Sequence, residues 1–476
     1  MVFYMLGKIV FLEAALLTLP MIVSFLYRES CAWSFLITIG VAVSVGFLLT
    51  LVSRPGNKFI YAKEGFVIVA LSWITLSAIG ALPFVLCGDI PSYVDAFFET
   101  VSGFTTTGAS ILRDVESLNH GTLFWRSFTH WIGGMGILVL IMAIIPTDSG
   151  RSMHILRAEM PGPIVDKLVP KVKDTAKILY LIYIVMTAVQ MVFLLFGGLS
   201  LFESAVYAFG TAGTGGFAIK ADGMASCSPY VQWVITIFML LFGINFNIYY
   251  LILIKRFKSA VKSTEMWCYL GIIAVSVAAI TLNILSLCRN FAEAFRLSSF
   301  QVVSIITTTG YSTTDFNLWP SFSKAVLLLL MFIGGCAGST AGGLKVSRVV
   351  LLFKMIKRGI LKMIHPRSVS SVKFEGRTVD DATARGIGVY FAIYMGLCAV
   401  VFLALSFEPF DFETNFTAMA TCVNNVGPGF GAVGPASSFA LYSPISKIIL
   451  SVAMLLGRLE IYPVLLTLIP SVWVKK

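Results

Sequence analysis

Charge is scarce in this chain. Only 12% of its 476 residues are Asp, Glu, Lys or Arg, about half the share of an ordinary soluble domain. So few charges cannot cover a water-facing surface, and 57% of the residues are hydrophobic. This balance excludes a soluble globular protein and implies an integral membrane protein. Histidine is nearly missing: His120, His130, His154 and His365 make no HExxH pair and no cluster. The eight cysteines, Cys31, Cys87, Cys227, Cys268, Cys288, Cys336, Cys398 and Cys422, lack metal-ligand spacing. Most lie in or beside apolar runs, where Cys behaves as a small hydrophobe. Paired intramembrane carboxylates are absent too. A membrane-embedded enzyme, the alternative from another class, would need a converging nucleophile, base or metal set, and none is visible. The first apolar run has no small-residue cleavage site after it, so it reads as a retained span. "GFGAVG" (429–434) matches a dinucleotide pattern but precedes Pro435 instead of a helix start. "GGCAGSTAGGLK" lacks GK[ST] in register, so no nucleotide or other organic cofactor is expected in this chain.

Long apolar runs are abundant. They lie near 5–26, 33–52, 65–87, 124–146, 178–198, 230–254, 267–288, 324–356 (interrupted), 386–406 and 444–474. At roughly 20 residues per crossing they predict about ten spans. Four shorter apolar pieces, at 91–101, 201–209, 290–303 and 411–421, cannot cross and suit re-entrant helices. The net charge of +11 sits mainly in loops. Arg54, Lys58 and Lys63 mark one. Arg151, Arg157, Lys167, Lys171, Lys173 and Lys177 mark another. Lys255, Arg256, Lys258 and Lys262 mark a third, 354–385 is heavily basic, and the chain ends Lys475-Lys476. With ten spans all of these fall on the side of the N-terminus. The positive-inside rule makes that side, with both termini, cytoplasmic, so nucleic acid is not needed to explain the charge. The short pieces and their loops then open outward.

Each short piece leads into a polar loop: "TTTGAS" (105–110), "AGTGGF" (212–217), "TTTGYS" (307–312) and "NNVGPG" (424–429). Aligning Gly108, Gly215, Gly310 and Gly427 gives a repeat of roughly 100 residues. The predicted fold is an all-α polytopic membrane protein. A helix pair (1–60) precedes four units of span, short helix, loop and span, at 61–150, 151–260, 261–365 and 366–476. Non-helical backbone at membrane depth survives only where protein or a water path covers it. Four loops on one axis line such a path, and their carbonyls can replace a cation's hydration shell. The candidate ion-contacting residues are Thr106, Thr107 and Gly108; Gly213, Thr214 and Gly215; Thr308, Thr309 and Gly310; and Asn425, Val426 and Gly427. One such loop alone reads as an ordinary turn; four in register read as a filter. None carries a carboxylate, which points to a monovalent cation instead of Ca²⁺ or Mg²⁺.

Residues 334–343, "GGCAGSTAGG", hold five glycines inside an apolar span. Each weakens a helix by about 1 kcal/mol relative to Ala, so a break is expected. Gly334, Gly335, Gly338, Ser339, Thr340, Gly342 and Gly343 are candidate gate residues below the third loop. The other reading is a small-residue packing seam. Arg458 lies midway in the last run, and an intramembrane charge faces a pore or a partner. Glu460, two residues on, does not share its helix face. Lys345 either joins the gate or reaches the cytoplasm. Glu13 reads as a structural residue near a span end.

These loops, with "HWIGGMGILVL" (130–140), "NLWPSFSK" (317–324), "IGGCAGSTAGGLKVSR" (333–348) and "GRLEIYP" (457–463), resemble the TrkH/KtrB superfamily of potassium-translocating subunits. The N-terminal helix pair matches its TrkH branch, and the likeness covers essentially the whole chain. The resemblance implies four pseudo-fourfold pore units around one pore per protomer, a homodimer, and potassium as the transported and filter-bound ion. It also implies the inner membrane of a prokaryote, and a cytosolic TrkA/KtrA-like nucleotide-binding ring as partner. It further suggests that Arg458 meets the gate loop. The second loop departs from the TTG pattern, as the family tolerates. In this superfamily a Ser at the first filter glycine goes with sodium permeation, so Gly108 favours potassium over a sodium-preferring relative. Passive flux and coupling to H⁺ or Na⁺ both stay open. The basic segments 148–177 and 354–385 are long for simple connections. They read as docking sites for the ring, or as charges that set topology and touch anionic lipid.

Overall fold

A computed structural model describes residues 1–53, 62–136, 172–367 and 371–470. Arg54, Lys58, Arg151, Arg157, Lys167, Lys171, Lys475, Lys476 and the stretch 137–140 lie outside the described residues, as do the side chains of Lys63 and Lys173. The structure is almost entirely helical. Two antiparallel strands, Lys373–Phe374 and Arg377–Thr378, are the exception among the described residues.

The four short helices span Tyr93–Phe104, Leu201–Gly213, Phe291–Ile306 and Phe412–Asn424. Their starts follow from local chemistry. Ser92, Ser200, Asn290 and Asp411 each accept a backbone N–H of the first turn through the side chain. Such a cap contributes about 1 kcal/mol. Asp95, Glu203, Glu293 and Glu413 add an acid to the positive end of each helix dipole. The negative ends lead into the four polar loops.

The ten expected spans do not all appear as unbroken helices. Among the described residues six helices are long and apolar enough to cross: Val2–Leu26, Ala32–Val52, Glu64–Cys87, Thr175–Phe196, Thr264–Leu287 and Asp381–Leu405. A seventh candidate is the pair Pro229–Phe242 and Phe246–Leu253, bent by 88°. The difference has one cause. The helix after each loop breaks partway, and the sequence announced only one of these breaks. The first, His120–Gly134, stops at Met135. Ser321–Ile333 stops at Gly334, and the chain turns helical again only at Val346–Ile364. Pro444–Arg458 gives way to Tyr462–Leu468. The half-helices end against the short helices. A Cβ on Gly133 would overlap the Phe104 carbonyl, and one on Gly457 the Val423 carbonyl.

Segment 354–385 is less of a connection than its length suggests. The helix runs on to Ile364, and the hairpin folds back over it. Phe374 is buried with Leu351, Val372, Val379 and Ile387. Arg358 pairs with Asp381 at 2.7 Å. Glu13 sits mid-span within Val2–Leu26, not near an end, and is 1% exposed.

The apolar core is divided in two. One part joins the N-terminal helices to the first and last units, and the other joins the second and third units. Between them the four loops meet. At the N-terminus, Gly7 and Gly46 let two helices cross closely. A Cβ on Gly7 would stand 2.7 Å from Thr50 Cγ2 and 2.8 Å from the Gly46 carbonyl. Gly7→Val should therefore separate the pair and cost about 1–3 kcal/mol. A melting temperature lowered in detergent would show it, and an unchanged one would disprove the tight crossing.

Candidate functional site

The four loops share one backbone path. Thr106, Thr214, Thr308 and Asn425 are all left-handed, with φ of 56°, 55°, 55° and 56°. Two residues on in each loop comes a glycine with positive φ: Gly108 (79°), Gly216 (76°), Gly310 (83°) and Gly427 (103°). This register corrects the sequence alignment by one residue. Gly216, not Gly215, corresponds to Gly108. The run "GTGG" offers two adjacent glycines, and only the dihedrals tell which one matches.

Glycine is required there by space as well as by φ. A Cβ on Gly108 would collide with the Gly215 carbonyl, one on Gly216 with that of Thr309, and one on Gly310 with that of Val426. The circle closes at Gly427, whose Cβ would lie 2.8 Å from the Thr107 carbonyl. Each loop thus leans on the next, and the carbonyls of Thr107, Gly215, Thr309 and Val426 surround one axis. Thr106, Thr107, Thr214, Thr308, Thr309, Asn425 and Val426 are fully buried. Behind the ring, Thr105 and Thr107 pair through their hydroxyls at 2.7 Å, and Thr307 and Thr309 do so at 2.8 Å. Asn425 Nδ2 donates to Thr107 Oγ1 at 2.9 Å and to the Met454 carbonyl at 3.0 Å.

One side of the ring opens into a cavity of about 340 Å³ that includes Gly108, Gly216, Gly310 and Gly427 in its wall. Arg126 also lines it. Its guanidinium meets Glu99 Oε1 at 2.6 Å, donates to the Ala218 carbonyl at 2.9 Å and lies 3.7 Å from the Phe217 ring centre. Glu99 in turn accepts from Ser110 Oγ and from the Ile111 N–H, both at 2.9 Å. The buried pair therefore ties the exits of the first two loops together. Removing one partner of such a pair typically costs 3–5 kcal/mol.

The other side of the ring meets the glycine-rich break. From Gly334 to Lys345 the chain is not helical, and Gly334, Gly338, Gly343 and Lys345 all have positive φ. A packing seam on a continuous helix is thereby excluded. The loop lies directly against the ring. Gly342 N–H donates to Thr308 Oγ1 at 2.6 Å, and Gly343 N–H to the Asn424 carbonyl at 3.0 Å. Gly335 and Cys336 are buried; Cys336 N–H reaches the Gly243 carbonyl, and Gly335 accepts from Val346 N–H. Ser339 Oγ donates to the Cys336 carbonyl at 2.6 Å.

Arg458 does meet this loop. Its Nη1 donates to the Thr340 carbonyl at 2.8 Å, and its Nη2 to the Gly133 and Gly134 carbonyls at 2.6 and 2.8 Å. One guanidinium therefore joins the loop to the break after the first half-helix. Lys345 is buried, and its ammonium donates to the Ala341 carbonyl. Glu460 turns away from Arg458 and pairs with Arg348 at 2.5 Å. Arg458, Lys345, Glu460, Gly338, Ser339, Gly342 and Gly343 border a small cavity of about 40 Å³, room for no more than a few waters.

Sequence reasoning missed Arg126, Glu99 and Glu265. Glu265 Oε1 accepts from Ala337 N–H at 2.7 Å and from Ser347 N–H at 3.1 Å, so it holds both feet of the loop. The signal was available. Each is a charge inside or at the edge of an apolar run, the same argument that singled out Arg458. Among the described residues no group of three or more His, Cys, Asp or Glu is placed to hold a metal ion.

Comparison with known proteins agrees with this geometry. The family model TrkH, described as a cation transport protein, matches residues 33–474. The chain is 37% identical over 478 residues to the Trk system potassium uptake protein TrkH of Salmonella typhimurium, covering 98% of each. It is 34% identical over 480 residues to the Trk system potassium uptake protein TrkG of Escherichia coli K12, covering 99% of this chain and 98% of that one. The crystal structure of the potassium transporter TrkH from Vibrio parahaemolyticus superposes with a TM-score of 0.88 at 31% identity, with 99% of both chains covered. These likenesses run through every helix and loop described above, and the chain, a multi-pass membrane protein, belongs to the TrkH family of cation transport proteins.

Proposed function

We propose that this chain is the ion-conducting subunit of a Trk-type potassium uptake system and that the ring of Thr107, Gly215, Thr309 and Val426 carbonyls lies in its selectivity filter. The observation that carries this reading is the closed circle of four neutral loops, each at the negative end of a short helix. Neutral carbonyls suit a weakly hydrated monovalent cation. The relatives' names as potassium uptake proteins support the choice of ion. The wide cavity is then the outer mouth in the cytoplasmic membrane, with both termini inside. Reversal potentials in reconstituted bilayers, with K⁺, Na⁺ and pH gradients varied separately, test the whole reading. A response that follows K⁺ alone is expected. A response to Na⁺ or pH gradients would instead support a sodium-preferring or coupled transporter of the same fold.

At Gly108 there is no room for a side chain. Gly108→Ser places a Cβ where the Gly215 carbonyl stands, at a φ that Ser disfavours. The K⁺/Na⁺ permeability ratio should fall by about tenfold or more. An unchanged ratio in folded protein would remove Gly108 from the filter.

Loop 334–345 closes the path below the ring, and Arg458 holds it there. Losing a charge-assisted hydrogen bond of about 1.5–3 kcal/mol shifts a two-state ratio by roughly ten- to a hundredfold. Arg458→Ala should raise K⁺ flux in proteoliposomes without the partner, and deletion of Gly338 to Ala341 should raise it further. Selectivity should persist in both. Wild-type flux in both would sink the gate.

The relatives' shared designation as parts of a Trk system supports a cytosolic partner, here a TrkA-like nucleotide-binding ring on a homodimer of this chain. The basic helix ending at Ile364 offers a docking face: Lys357 and Lys362 lie on it, while Arg358 is engaged by Asp381. Charge reversal of Lys357 and Lys362 should weaken co-purification with the ring. Full retention of the ring would leave these charges to anionic lipid.

A further inference from the structure

The second loop lacks what the other three use to hold their shape. In the first and third loops, threonines flank the left-handed residue and their hydroxyls pair behind the ring. In the fourth, Asn424 occupies the first flanking place, and Tyr394 donates its hydroxyl to Asn424 Oδ1 at 2.8 Å. In the second loop both flanking residues, Gly213 and Gly215, have no side chain. Thr214 between them donates only to the carbonyl of its neighbour Gly213.

The space so vacated is filled from another unit. His130, on the half-helix after the first loop, is fully buried. A Cβ on Gly215 would overlap three atoms of its imidazole, Nδ1, Cγ and Cε1. A Cβ on Gly213 would overlap the His130 carbonyl. The ring is fixed in that place. It stacks on Phe217 at 4.2 Å between centroids, and the Arg126 guanidinium lies 3.7 Å from the Phe217 ring centre. The backbone next to His130 is pinned as well, since Tyr183 donates its hydroxyl to the Trp131 carbonyl at 2.9 Å.

Gly215 supplies one of the four ring carbonyls, the one against which Gly108 packs. We propose that His130 is a positioning residue for ion selectivity: its imidazole is the brace of the second loop, replacing in trans the threonine pair of the first and third, and sets where the Gly215 carbonyl stands. This rests on the filter reading above. The chemistry is that of a rigid planar wedge. An imidazole has only two side-chain torsions and packs face-on to Phe217, so it fixes the backbone beside it by shape.

The experiment is a reciprocal exchange, read as the K⁺/Na⁺ permeability ratio in planar bilayers. His130→Ala removes the wedge, and the ratio should fall about tenfold while protein yield and elution volume stay normal. Gly215→Thr alone should abolish transport or folding, because its side chain meets the imidazole. The double variant His130→Ala/Gly215→Thr supplies a Thr where loops one and three have theirs, and should recover both transport and most of the ratio. His130→Gln, planar and polar, should lie between wild type and His130→Ala. Should His130→Ala fail to fold, the double variant against Gly215→Thr still decides. A wild-type ratio in His130→Ala, or a double variant no better than Gly215→Thr, would overturn the proposal. Gly108→Ser in the same bilayers separates the two readings. If it alters the ratio while His130→Ala does not, the filter stands and the brace falls; if neither alters it, the filter reading itself is wrong.

Discussion

A peptide group inside a bilayer must find its hydrogen bond within the protein, at a cost of several kcal/mol when it does not. Everything at the centre of this molecule answers that demand. Four loops and the break at Gly334–Lys345 take the backbone out of helix where no water layer covers it. The break is satisfied from its surroundings: Thr308 Oγ1, the Asn424 and Gly243 carbonyls and Glu265 take its N–H groups. Arg458 serves its Thr340 carbonyl and two more from the first half-helix. The polar residues that look misplaced in an apolar chain are the partners that let irregular backbone exist at depth.

The broken half-helices follow from the same constraint. A straight helix after each loop would run through the space that the loop and its short helix occupy. Stopping at Met135, Gly243, Gly334 or Leu459 opens that space. Gly133 and Gly457 then touch carbonyls of the short helices with no side chain between. The loops meet where the two main apolar clusters adjoin, Ala109 packing into one and Ala212, Tyr311 and Val426 into the other.

Much of this was legible beforehand, and the reasons differ from place to place. The short helices declared themselves by length and by the glycine loops behind them. The break at 334–343 was legible because five glycines cannot sustain a helix. The contact of Arg458 with that loop came from the family resemblance, and the chain alone left its partner open. The other breaks were hidden: "FGINFN" carries a single glycine, "WIGGMG" holds three but only over a short stretch inside an apolar run, and each bend depends on neighbours far along the chain. The Gly215-to-Gly216 slip arose because composition cannot choose between adjacent glycines when dihedral angle decides. Arg126, held by Glu99, and His130 act across units, and only the folded chain places His130 against loop two. Glu265, at the start of an apolar run, carried the same signal of a charge beside apolar sequence as Arg458, but its two partners across the loop are visible only in the folded chain.

The ring of four loops is made by a single chain, and this has a consequence for how it can change. In an assembly of four identical subunits, one altered codon alters four walls at once. Here one codon alters one wall. The four quadrants have accordingly drifted to different solutions, two with hydroxyl pairs, one with asparagine and tyrosine, and one with glycines set against an imidazole. Yet the loops touch head to tail around the circle, so no quadrant is free of its neighbours. Inheritance acts on quarters, while an ion in the proposed filter would experience the whole circumference.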